Sequence, residues 1–166
     1  LCQRLGLERE PFPELPDGLL LNTHRLAQRM ALIRHLLMSS TRPVLLLGPR
    51  GAGVTTLIHS CAATLRDPLR CAVWTATPLA TTRDLMHMLL ENLDGDTFEG
   101  DDSTAQLVDV VRAQLVRMQA AATTPVLLID NAHELTTPVL EALLELGDTP
   151  PGWLRLVFAG DARLES

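Results

Sequence analysis

The chain has 166 residues, 46% of them apolar and 3% aromatic with no Tyr, so one domain with a Leu, Val, Ala and Ile core is expected and broad disorder is excluded. Its 14 basic residues are all Arg, against 20 acids, for a net charge of −6. That balance opposes a broad grip on nucleic acid, and the absence of Lys excludes a Schiff base, an ammonium phosphate clamp or an amine base supplied by this chain alone.

Leu1 to Leu21, with Pro11, Pro13 and Pro16, reads as an irregular lead-in, which divides the chain into residues 1–22 and a core over 23–166. From Thr23 the pattern turns helical, with Leu26, Met30, Ile33 and Leu37 on one stripe. Pro43 ends it, and Val44-Leu45-Leu46-Leu47 has the form of a buried parallel strand. A Gly-rich turn over 48–53 leads into a helix from about Thr55 to Leu65, and Cys71 to Trp74 is a second strand. Leu85, Met88 and Leu89 mark a third helix, in which Met86-His87-Met88 serves packing. Asp94 to Asp102 is too acidic and Gly-rich to be regular and reads as a solvated loop; Ala105 stands where a calcium loop needs Glu.

Ser103-Thr104-Ala105-Gln106 is a capping-box signature for a helix through Gln119. Val126 to Ile129 is another buried strand, ending in Asp130. Thr137-Pro138 caps a helix that Gly147 is expected to stop, and Leu154 to Phe158 is a last strand closed by Gly160-Asp161. Short apolar strands alternating with helices predict an α/β fold with a mostly parallel sheet covered on both faces.

Cys2, Cys61 and Cys71 form no Cys-x-x-Cys pair and are expected to be free thiols in a reducing compartment. His24, His35, His59 and His87 lack metal-ligand spacing, and His133 reads as a surface or supporting residue. No apolar run has the length of a membrane span. Leu1 is not a Met, so the chain is expected to be cut from something longer, with any membrane anchor in the missing part.

The segment Gly48-Pro49-Arg50-Gly51-Ala52-Gly53-Val54-Thr55-Thr56 sits between a strand and a helix and matches G-x-x-x-x-G-K-[ST] except at the lysine, which is Val54. Such a loop holds phosphate on backbone N–H groups at a helix N-terminus. Thr55 stands where a hydroxyl would bind magnesium, and Asp130 is the expected partner through the metal's water shell. Gly48, Arg50, Gly51, Ala52, Gly53, Val54, Thr55 and Thr56 are therefore the candidate ATP/ADP contacts, and Thr55 and Asp130 the candidate magnesium ligands.

The loop and the run Val126-Leu127-Leu128-Ile129-Asp130-Asn131-Ala132-His133-Glu134-Leu135 resemble the Walker A and Walker B elements of AAA+ ATPases. The opening Leu5-Gly6-Leu7 with Pro11-Phe12 is similar to the ExeA-type group, which includes secretion ATPases, TniB-like transposition ATPases and DamX-like cell-division proteins with a SPOR domain. The resemblance implies a three-layer P-loop sandwich that ends here before the last core strand and the helical lid, with Asp161 near the sensor 1 position in place of a polar amide. It also identifies Asn131 as standing where the catalytic Glu belongs.

Losing a lysine that makes two charge-assisted bonds is expected to weaken triphosphate affinity by roughly two to four powers of ten. Asn131 can hydrogen-bond a water but cannot take its proton. Arg50 folding toward the phosphates, or Glu134 acting as a displaced base, are the rescues within reach; Glu134 reads more simply as a helix-start acid. These changes predict a pseudo-ATPase that works as a docking or assembly module with protein partners or by self-association; the resemblance implies a place on the cytoplasmic side of a DamX-like division protein. The alternatives are an ExeA-type ATPase completed by a neighbouring subunit and a TniB-like DNA regulator, the latter opposed by the net charge.

Overall fold

The computed structural model describes residues 24–65, 67–93, 103–148, 150 and 152–165. The expected lead-in, the acidic loop over 94–102, Cys2 and Thr23 lie outside the described residues. In chain order the elements are α1 (His24–Ser39), β1 (Val44–Leu47), α2 (Val54–Thr64), β2 (Leu69–Thr75), α3 (Thr82–Leu93), α4 (Thr104–Ala120), β3 (Thr124–Asp130), a 3-10 turn (Ala132–Glu134), α5 (Thr137–Asp148), β4 (Arg155–Gly160) and a second 3-10 turn (Ala162–Glu165). The strands form one sheet in the order β1-β4-β3-β2, and every pairing is parallel.

Alternation along the strands divides the core in two. Val126 and Leu128 of β3, with Val157 and Ala159 of β4, face α1 and α2, where Ile33, Leu37, Leu57, Ile58 and Cys61 meet them. Leu127 and Ile129, with Leu156 and Phe158, face Leu85 and Leu89 of α3, Leu107 and Leu115 of α4 and Leu143 of α5. Helices therefore cover both sides of the sheet at its centre, the expected three-layer α/β sandwich; β1, expected to be buried, is instead an edge strand whose Leu45 and Leu47 are 51% and 40% exposed.

Local chemistry sets most element ends. The Ser103 hydroxyl accepts from the Gln106 N–H at 3.4 Å while Gln106 Oε1 accepts from the Ser103 N–H at 2.8 Å, completing the expected capping box of α4. Thr81 and Asp84 exchange the same kind of contacts at the start of α3, a cap that the apolar stripe alone did not reveal. Several boundaries differ from expectation. The Leu140 N–H bonds to the Thr136 carbonyl, so Thr136 is the cap and Thr137 is already helical; α5 then runs through Gly147, whose missing side chain admits Leu156 (a Cβ there would lie 3.0 Å from its Cδ1). The last strand runs to Gly160 rather than Phe158, because its pairing with β1 continues to Leu47↔Gly160.

Cys61 and Cys71 are thiols outside any disulfide, as expected, and burial pushes the Cys61 thiol up to about 11. No helix among the described residues is long and apolar enough to cross a membrane.

Candidate functional site: a phosphate loop facing a carboxylate ridge

All four parallel strands point their C-terminal ends at one edge of the sheet, the place where open α/β folds bind ligands. A cleft of about 690 Å³ opens there, lined by the loop over 48–56, by Ala76, Thr77 and Pro78 after β2, by Asp130, Asn131, His133 and Glu134 after β3, and by Gly160 and Asp161. All eight candidate nucleotide contacts line this one cleft, and so do Asp130, Asn131 and Glu134.

The loop is built by backbone geometry that only some residues allow. Gly53 has φ 81° and turns the chain into α2 immediately before Val54. A Cβ on Gly48 would lie 2.7 Å from Val54 Cγ2 and 3.1 Å from Ala52 Cβ, so any larger residue there would collide with the loop's own interior. The Gly48 N–H donates to the Gly160 carbonyl at 3.1 Å, and the Ala52 N–H to Pro49 at 3.0 Å. Both amides are thereby committed. The N–H groups of Val54, Thr55 and Thr56, in the first turn of α2, have no acceptor four residues back and are the donors left for an anion.

Val54 lines the cleft without a lysine's reach or charge. Its side chain folds against Gly48 and packs beside the α1–α2 core. Arg50 is exposed and lines the cleft, with no acidic partner among the described residues.

Asp130 is buried, at 4% exposure, and its Oδ1 accepts from the Asn131 N–H at 2.9 Å. Its second oxygen has no protein partner among the described residues and sits in the same cleft as the exposed Thr55 hydroxyl. No cluster of three or more acidic, His or Cys ligands that could cage a metal occurs among the described residues. One carboxylate and one hydroxyl fit magnesium carried in on nucleotide phosphates, the usual habit of that ion. Asp130 and Thr55 are the residues that would hold it, and it would supply charge neutralisation for the phosphates.

Asn131 has φ 53° and ψ 35°, the left-handed region in which Asn is among the better tolerated residues, and this bend launches the 3-10 turn. At the end of that turn Glu134 meets His133 Nε2 at 3.2 Å and Arg163 Nη1 at 3.5 Å. It therefore belongs to a side-chain network, a role beyond that of a helix-start acid. Arg163 also forks onto Asp161 at 2.9 to 3.1 Å, and His133 Nε2 lies 3.8 Å from Asp161. His133 is nearly buried, with Nδ1 turned toward Gly160, where a Cβ would lie 2.7 Å away.

Sequence reasoning missed Arg163 and the Ala76–Pro78 wall; β2 runs to Thr75, one residue past the expected Trp74, and its pairing with Asp130 is what brings that wall to the cleft.

The hydrogen bonds from Arg163 hold the Asp161 carboxyl down to about 2. A carboxyl depressed by folding adds stability above its unfolded pKa and loses it as pH falls through the folded value. Arg163→Ala should return the Asp161 carboxyl toward the ordinary range near 4. Carboxyl-carbon NMR across pH 2 to 6 reads this directly, and an unmoved Asp161 titration would contradict the assignment.

A family profile described as an AAA domain matches residues 33–166. The chain belongs to the AAA domain family. Solved AAA+ structures share the fold at low identity. An ORC of Drosophila bound to DNA matches with TM-score 0.67 and 16% identity, over 89% of this chain and 40% of that one. The Cdc6p of Pyrobaculum aerophilum matches with TM-score 0.66 and 17% identity, over 95% and 43%. The ORC2 protein of Aeropyrum pernix, solved as ADPNP-ADP complexes, matches with TM-score 0.61 and 13% identity, over 93% and 43%. This AAA chain thus spans less than half the length of those proteins. No curated protein matches its sequence. As an AAA module it has a nucleotide-binding architecture.

Proposed function

We propose that this AAA module binds ADP or ATP with magnesium weakly, on backbone amides, and turns it over little or not at all. It then serves as a docking or assembly domain for protein partners or further copies of itself. The observation that carries this reading is the pair of replacements in one cleft: Val54 folded against Gly48 in place of a cation, and Asn131 after Asp130 in place of a proton acceptor. A degenerate site is tolerable in a scaffold and costly in an energy-driven machine. Together with the opening Leu5-Gly6-Leu7 and Pro11-Phe12, this favours a DamX-like division role on the cytoplasmic face of a membrane reached through a region outside this chain.

The second reading is an ExeA-type ATPase whose missing cation comes from a neighbouring subunit. Glu134 in the cleft wall favours it, as an acid already near the phosphates. Phosphate release by the purified chain with ATP and magnesium separates the two. No turnover at any protein concentration is the expected result. Magnesium-dependent hydrolysis abolished by Asp130→Ala would overturn the first reading, and turnover rising steeply with protein concentration would establish the second.

A further inference from the structure

The net charge of −6 conceals a strong segregation: residues 18–66 contain six arginines and not one Asp or Glu. Within that stretch α1 carries Arg25, Arg29 and Arg34, all exposed and none with an acidic partner among the described residues. The helix is 16 residues, about 24 Å long. Ile33 and Leu37, each 2% exposed, fix which side is buried. Opposite them His24, Gln28, Ala31 and His35, spaced four, three and four apart, form the outward ridge, and all four are exposed. At about 100° per residue, Arg25 and Arg29 fall on one flank of this ridge and Arg34 on the other.

A helix with hydrogen-bonding side chains along its crest and guanidinium groups on both shoulders has the chemistry of a groove reader. The crest can meet base edges while the shoulders meet phosphates on the two walls. We propose that α1 docks duplex DNA in this way, through a strip one helix wide. The major groove of B-form DNA is about 12 Å across and admits an α-helix, whereas that of A-form RNA is too narrow for side-chain readout. A flat anionic bilayer fits less well. An interfacial helix turns a continuous apolar face outward; on α1 Ile33 and Leu37 pack on the sheet, and the two large apolar side chains left exposed, Leu32 and Met38, stand on opposite flanks of the ridge. The whole-chain acidity that opposes a broad nucleic-acid surface does not oppose this strip, because no carboxylate belongs to α1. The proposal is independent of the nucleotide reading and stands or falls separately from it.

Fluorescence anisotropy of a labelled 20-base-pair duplex, titrated with the full 166-residue chain between 50 and 200 mM salt, tests it. Three shoulder arginines neutralising one phosphate each should give a log–log salt slope of about −3. Arg25→Ala with Arg29→Ala should make that slope shallower by about 2, while Arg25→Lys with Arg29→Lys should preserve it. Arg112→Ala, on α4 and paired with Glu145 at the surface, should leave binding unchanged. The proposal is overturned by no duplex binding at 50 mM salt, by an unchanged slope in the double alanine variant, or by capture on phosphatidylserine vesicles without capture of the duplex.

Discussion

Val54→Lys should tighten binding of ATP with magnesium by about two to four powers of ten, the equivalent of two charge-assisted bonds of about 1.5–3 kcal/mol each. Position 54 is the first residue of α2, directly after the left-handed turn at Gly53, so a long side chain there starts at the mouth of the anion site. Valine is too short to leave the loop and rests on Gly48; lysine would have the reach to cross to phosphate oxygens. Calorimetry on the natural chain and on the variant measures the gain directly. Equal affinities would mean that amides and Arg50 already supply what a lysine adds.

Adding Asn131→Glu tests the second half of the argument. The backbone at residue 131 has φ 53°, where a residue other than Gly, Asn or Asp bears roughly 1–2 kcal/mol of strain. The double variant is therefore expected to hydrolyse ATP while the lysine variant alone only binds it, with some stability lost in exchange for the proton acceptor.

The largest effect on stability is expected at the central strand. Leu127→Ala should destabilise the fold by about 2–5 kcal/mol, since Leu127 is fully buried and the helices around it cannot close the gap left by three carbons. β3 is paired on both edges, to β2 and to β4, so the backbone has little freedom to relax toward the cavity. Urea unfolding should report a lower midpoint at an unchanged slope. Leu79→Ala, at a residue 88% exposed, is the comparison and should shift the midpoint little. Comparable losses at both sites would contradict the two-sided core.

The parts of this fold that were legible in the sequence are those written in short runs. Val44 to Leu47 and Val126 to Ile129 read as strands and are strands, though only the second is buried, because β1 lies at the sheet edge; glycines spaced between a strand and a helix likewise mark the loop that lines the cleft. The network of His133, Glu134, Asp161 and Arg163 was not legible, because it is made by topology. β4 inserts between β1 and β3, and this brings Asp161 next to Gly48 across most of the chain. The direction of Val54 was equally hidden, since it depends on how closely the loop folds over Gly48. The arginine pattern on α1 was present in the sequence all along, but a net charge averages over the molecule and erases it.

The alternation along β3 makes the sheet a partition. Leu127 and Leu128 are covalent neighbours, yet each touches a different set of helices and they share no packing partners in the two clusters. A side chain shortened on one face therefore removes packing from that face's helices alone. Within the partition itself, the hydrogen bond from the Gly48 N–H to the Gly160 carbonyl ties the loop after β1 to the end of β4. A molecule organised this way can vary its outer helices independently while the cleft at the strand ends keeps its shape.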